Sequence, residues 1–346
     1  MKKKIFLPIT VLLLLAVLLG GCATGMTPSS WYGMTADTGQ AYISGGSNVY
    51  AIDLETQAEA WRFPIKLTVF AAPVLTTDGQ LLVGGYDHVL YSLDPEDASE
   101  NWQFADARDR WIGSPLVANE TIYAPNGDYN LYALDLDGEL LWSFKADQSL
   151  WGTPVTDGEL VYVGSLGGWV YALEAESGEL AWKVENEGAI LGSLALADDT
   201  LFASLFSGSL VALDTRDGDI LWQEPLDSGA WSGPLLVGDE IYVGDRDGTL
   251  YAFSLSGDKL WEKSLDGAIV SSPILLDGEL AVGTDAGKIY FISLDGKDSR
   301  NESIEGKVYS PLLSIGTYLL VSPTEADAIL IALEDGSESW SFTPEK

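Results

Sequence analysis

The sequence predicts an all-β fold: an eight-bladed β-propeller of four-stranded antiparallel blades. Three observations carry that prediction. Tryptophan recurs at Trp61, Trp102, Trp142, Trp182, Trp222 and Trp261, at intervals of 41, 40, 40, 40 and 39 residues. A further 39 residues reach Arg300 and another 40 reach Trp340, so eight units are present and the seventh has lost its tryptophan. Each unit divides into four short runs of β-branched, aromatic and aliphatic residues parted by Gly, Asp and Asn, and helix-period stretches are missing from them. Four strands per repeat of this length fit propeller blades; helical repeats demand helices, and β-helix coils are much shorter.

The N-terminus precedes the repeats. Lys2, Lys3 and Lys4 are followed by an uncharged apolar run over residues 5–19, which ends in Leu19-Gly20-Gly21-Cys22. That order predicts a secretory signal over residues 1–21. The run is short for a transmembrane helix, which needs roughly 20 apolar residues. Cys22 is the chain's single cysteine. The tetrad resembles a lipobox, which implies acylation of Cys22 and a membrane anchor; each buried CH₂ contributes about 0.8 kcal/mol. Ala23 is not the Asp of the inner-membrane retention rule, which implies the outer membrane, periplasmic side, where the host has one. With Cys22 acylated, no thiol remains for a disulfide, a metal site or a nucleophile. Residues 22–30, rich in Gly, Thr, Pro and Ser, read as a flexible tether.

The propeller is expected over residues 31–345, with blades at about 31–66, 67–107, 108–147, 148–187, 188–227, 228–266, 267–305 and 306–345. The third shows the pattern. Gly113-Ser114-Pro115-Leu116-Val117 opens it, then come Thr121-Ile122-Tyr123-Ala124 and Asn130-Leu131-Tyr132-Ala133-Leu134. The turn Asp135-Leu136-Asp137-Gly138 leads to Leu140-Leu141-Trp142-Ser143-Phe144. Both terminal units hold all four strands, so closure is expected to rest on packing between blades.

Charge excludes one class of partner. Removing the three signal lysines takes the formal net charge from −34 to −37. Such a surface repels phosphate backbones and anionic headgroups, so nucleic acid is not a partner.

The segment Ala172-Leu173-Glu174-Ala175-Glu176-Ser177-Gly178-Glu179-Leu180-Ala181-Trp182 resembles the tryptophan-docking motif of PQQ-type quinoprotein propellers, as does residues 212–222. The motif wants Ala first, an acid third, Gly seventh and Trp eleventh. Blades one and two carry Gln57 and Ala98 in place of the Gly, blades three and six have a turn one residue shorter, and blade seven lacks both Ala and Trp. The physics stands without the family: Gly permits positive φ at the turn, and the indole buries a large flat surface between blades. Trp61, Trp102, Trp142, Trp182, Trp222, Trp261 and Trp340 are therefore read as structural. Asp135-Leu136-Asp137-Gly138 and Asp245-Arg246-Asp247-Gly248 are read as turns rather than calcium ligands, because Asp-Gly suits hairpins. His88, the single histidine, stands in a turn and is expected to be solvated.

Three functional classes remain. Quinoprotein dehydrogenases share the motif, but no nucleophile–base pair, acid–amide calcium set or adjacent cysteine pair is evident, so no catalytic residue, metal or cofactor is expected. The lipobox, length, blade number and docking motifs resemble the BamB family of the outer-membrane β-barrel assembly machinery. That resemblance implies a non-catalytic scaffold that binds envelope proteins, among them the barrel-forming subunit. The third class binds a small ligand or an envelope polymer at the axis. Trp31, Phe70, Trp111, Trp151, Trp231 and Tyr309 lie at or just before first strands, where they form an axial aromatic collar or pack between blades. The loop before blade three holds Arg108, Arg110, Trp111 and Ile112, residue types common at interface hot spots. By loose resemblance to the BamB family it is the candidate docking site; the alternative is pairing of the arginines with Asp106 and Asp109.

Overall fold

A computed structural model describes residues 33–345. They form thirty-two strands in eight four-stranded antiparallel sheets, with no helix. The signal segment, Cys22, the tether and Trp31 lie outside the described residues.

Blade three spans Leu116–Ala118, Thr121–Pro125, Asn130–Asp135 and Leu140–Lys145, each strand paired to the next. Burial follows from position. The second and third strands are buried on both faces, and the fourth alternates exposed and half-buried residues at the rim. First strands of neighbouring blades touch around the axis. Core clusters sit between blades, as where Tyr162, Val170 and Trp182 of blade four pack on Leu201, Val211 and Leu213 of blade five.

The tryptophans tie each blade to the next. Their Nε1–H groups donate to main-chain carbonyls of the following blade: Trp61 to Pro95 (2.9 Å), Trp102 to Leu136 (2.9 Å), Trp142 to Ala175 (3.1 Å), Trp182 to Thr215 (2.7 Å), Trp222 to Leu255 (3.0 Å) and Trp261 to Leu294 (2.8 Å). The motif glycine lies under the ring. A Cβ on Gly218, at φ +78°, would stand 2.6 Å from Trp182. Gln57 and Ala98, which replace that glycine, hold the same left-handed turn at φ 60° and 61°. A β-bulge precedes each docking tryptophan, as between Ala172 and Leu173 opposite Trp182. Blade seven pairs Phe291 with Arg300 without a bulge. Arg300 takes the vacant place: its guanidinium lies 3.9 Å from the Phe291 ring centroid, next to Gly336 of blade eight.

The ring closes by packing. Met34, Ile43 and Ile52 of blade one share a core with Leu320, Leu330 and Trp340 of blade eight. This seam departs from the repeat. Among the described residues the Trp340 Nε1–H is buried without a hydrogen-bond partner. Its ring stands at 82° to Tyr318, against 38–48° for the equivalent pairs of Trp61, Trp142, Trp182, Trp222 and Trp261.

Candidate functional site

Strand register separates two positions at the start of each blade. Leu116 pairs with Tyr123 and Val155 with Tyr162, which aligns Trp111 with Leu150 and Ile112 with Trp151. The earlier position is core: Trp111, Leu150, Ile190, Ile269 and Val308 are at most 1% exposed. These side chains rest on the preceding blade, where a Cβ at Gly84 would meet Trp111 at 2.5 Å and one at Gly164 would meet Ile190 at 2.4 Å. The later position holds Phe70, Ile112, Trp151, Leu191, Trp231, Val270 and Tyr309. Phe70, Trp151 and Tyr309, with Ile112 and Leu191 between them, line one cavity of about 170 Å³. Trp231 packs edge-on against Phe206, with ring centroids 5.6 Å apart. Of the residues expected to form a collar, Phe70, Trp151 and Tyr309 line this cavity, Trp231 is not among its lining residues, and Trp111 belongs to the core one residue earlier.

The loop before blade three presents less than its sequence suggests. Trp111 packs on Phe104 and Tyr132, and Ile112 is only 9% exposed. Their burial leaves Arg108 and Arg110 as the solvent-facing members. Among the described residues neither guanidinium lies within ion-pair distance of a carboxylate, so the expected pairing with Asp106 and Asp109 is not formed. Asp109 instead caps the main-chain N–H of Arg110 at 2.8 Å. Asp128 anchors the loop. It accepts from the Arg108 N–H (2.9 Å), the Tyr132 hydroxyl (2.7 Å) and the main-chain (3.0 Å) and side-chain (2.9 Å) N–H groups of Asn130. Burial pushes the Asp128 pKa up, but these donors together outweigh it and hold the carboxyl below its ordinary range.

Sequence reading missed what Arg110 rests on. Its guanidinium lies 5.2 Å from the Tyr86 ring centroid, and Tyr86 stacks on Phe70 at 6.1 Å. Burial raises the Tyr86 pKa, with the Arg110 charge opposing it. Blade six repeats the arrangement: Arg246 lies 5.0 Å from Phe206, which packs on Trp231. Two exposed arginines are therefore linked through aromatic rings to the collar. Tyr86, Phe206 and Arg246 lie in turns between second and third strands, where no fixed residue type marks them. The predicted turn acids cap backbone: Asp135 accepts from Asp137 and Glu139, and Asp245 from Asp247 and Thr249. His88 is exposed in a turn at φ 72°.

A family model described as outer membrane protein assembly factor BamB matches residues 45–150 and 137–342. The chain belongs to this family. Its fold is similar to the crystal structure of BamB from Moraxella catarrhalis, with a TM-score of 0.72 and 18% identity over 84% of this chain and 90% of that one. It is also similar in fold to the computationally designed Ika8 protein, with a TM-score of 0.75 and 15% identity over 92% and 98% of the two chains. Likeness to a designed protein underlines that these structures speak for fold. No curated protein sequence matches.

The wider PQQ-type fold implies an acidic quinone with a calcium ion at the axis, and the residues present do not fit that pair. The described lining of the mouth holds no charged side chain. Among the described residues no group of three or more His, Cys, Asp or Glu side chains is placed to hold a metal.

Proposed function

We propose that this protein is a non-catalytic scaffold lipoprotein of the cell envelope, docking a protein subunit of outer-membrane β-barrel assembly. The observation that carries the reading is the family match, which runs through nearly the whole propeller. The mouth face supports it. Arg108 and Arg110 stand exposed without carboxylate partners among the described residues, and Arg110 is held in place by Tyr86. A preordered arginine spends less conformational entropy on binding, and a partner carboxylate would complete its hydrogen bonds. Attachment through acylated Cys22 would hold this face on the periplasmic side of the outer membrane.

Two measurements test the reading. Crosslinking in cells, followed by mass spectrometry, is expected to capture a membrane β-barrel assembly subunit; capture of none overturns the scaffold role. Fractionation of a Cys22→Ser variant is expected to move the protein from membranes to the soluble fraction. Unchanged membrane association would refute the lipid anchor.

A further inference from the structure

We propose that the axial cavity is a binding site for one neutral sugar ring, a function separate from the scaffold role and not resting on it. Trp151 is the first observation. It is half-buried at the mouth, yet among the described residues its indole has neither a ring contact nor a hydrogen-bond partner, unlike the six docking indoles that donate to the next blade. The second is Ser310, which lines the same cavity at 3% exposure with its Oγ buried and unpartnered among the described residues. Ser232 and Ser271 hold the equivalent position in blades six and seven, outside the cavity lining, and their hydroxyls are also buried without a partner among the described residues.

The other side of the axis is built differently. A Cβ on Gly113 would lie 2.3 Å from the Trp151 carbonyl oxygen, and one on Gly152 would lie 2.3 Å from the Gly192 carbonyl oxygen. Glycines there let backbones meet, while Ser310, opposite, keeps a buried Oγ that no described residue satisfies. A buried hydroxyl without a partner is costly, so the occupant must bring donors and acceptors. The described lining has no charged side chain, so a charged ligand would lose its hydration without compensation. A half-buried indole on one side and a buried hydroxyl on the other side of an uncharged cavity suit a ring with apolar C–H faces and hydroxyl edges. A cavity of about 170 Å³ holds one such ring.

The test is titration of the purified mature protein with glucose, N-acetylglucosamine and glucuronate, followed by tryptophan fluorescence and calorimetry. At least one neutral sugar is expected to bind saturably, and glucuronate at least about tenfold more weakly than that sugar. Trp151→Ala and Ser310→Ala should each weaken binding about tenfold or more. Trp151→Phe, which keeps a stacking face and preserves packing, should retain most of it. Variants that unfold are recognised by circular dichroism, and Trp151→Phe and the ligand series then carry the test. No saturable binding at millimolar sugar, or equal affinity for glucuronate, would overturn the proposal. So would binding untouched by both alanine variants.

Discussion

Trp182→Ala is the sharpest perturbation of the docking ring. The indole is 9% exposed, lies over Gly218, packs 5.9 Å from Tyr162 and donates to the Thr215 carbonyl at 2.7 Å. Truncating a buried large aromatic costs roughly 3–5 kcal/mol, and here the Thr215 carbonyl also loses its donor. Trp182→Phe keeps most of the burial and removes the N–H, so it should cost about 1–2 kcal/mol. Arg300→Ala is the internal control. The side chain is 52% exposed, and its contacts are an ion pair with Glu279 at 3.0 Å and the Phe291 ring. Exposed pairs contribute about 0–1 kcal/mol and exposed cation–π contacts about 0.5–1 kcal/mol, so the loss should stay near 1–2 kcal/mol. Urea unfolding at equal slope reads these differences as midpoint shifts. Equal losses for Trp182→Ala and Arg300→Ala would refute the view that the indole is the main lock between blades.

Two further outcomes follow from single residues. Asp128 has a folded pKa below its ordinary value of 3.8, so its stabilisation is present above that value and is lost as pH falls through the lower folded value. Asp128→Asn should therefore destabilise at neutral pH and flatten the acid limb of a stability–pH curve; an unchanged acid limb would contradict the role given to Asp128. At the seam, Trp340 makes no N–H bond of the kind its counterparts make among the described residues, so Trp340→Phe should cost well under the Trp182→Phe value, about 0.5 kcal/mol or less; matching losses in denaturation would show the seam to be docked like the other joints.

The period could be read because every blade must hand its edge to the next, and one indole does this at a nearly constant spacing. Arg300 was found by that spacing alone, since its chemistry gives no hint that a guanidinium substitutes for the ring. The family resemblance was visible for the same reason: the motif residues are the ones that lock blades together. The mouth was only half readable. Phe70, Trp151 and Trp231 each precede a proline by three residues, at Pro73, Pro154 and Pro234, whereas Trp111 precedes Pro115 by four. That one-residue offset sends the Trp111 ring into the core and brings Ile112 to the mouth. Tyr86, Phe206 and Arg246 escaped notice because their positions are defined by neighbours across blades. The turned Trp340 ring likewise depends on how the first blade meets the last, which no local pattern records.

The central claim is that the mouth face with its exposed arginines docks a β-barrel assembly subunit, and in-cell crosslinking of an Arg108→Glu, Arg110→Glu variant tests it most directly. Both side chains are solvent-facing and make no ion pair among the described residues, so the variant should fold with little change in stability. Charge reversal at an interface hot spot costs 2 kcal/mol or more as a rough rule, enough to reduce capture more than about tenfold. Loss of the assembly subunit from the crosslinked material, with the propeller still folded, is the predicted result. Capture of the same subunit in undiminished yield would place the docking surface elsewhere on the disc and contradict the account.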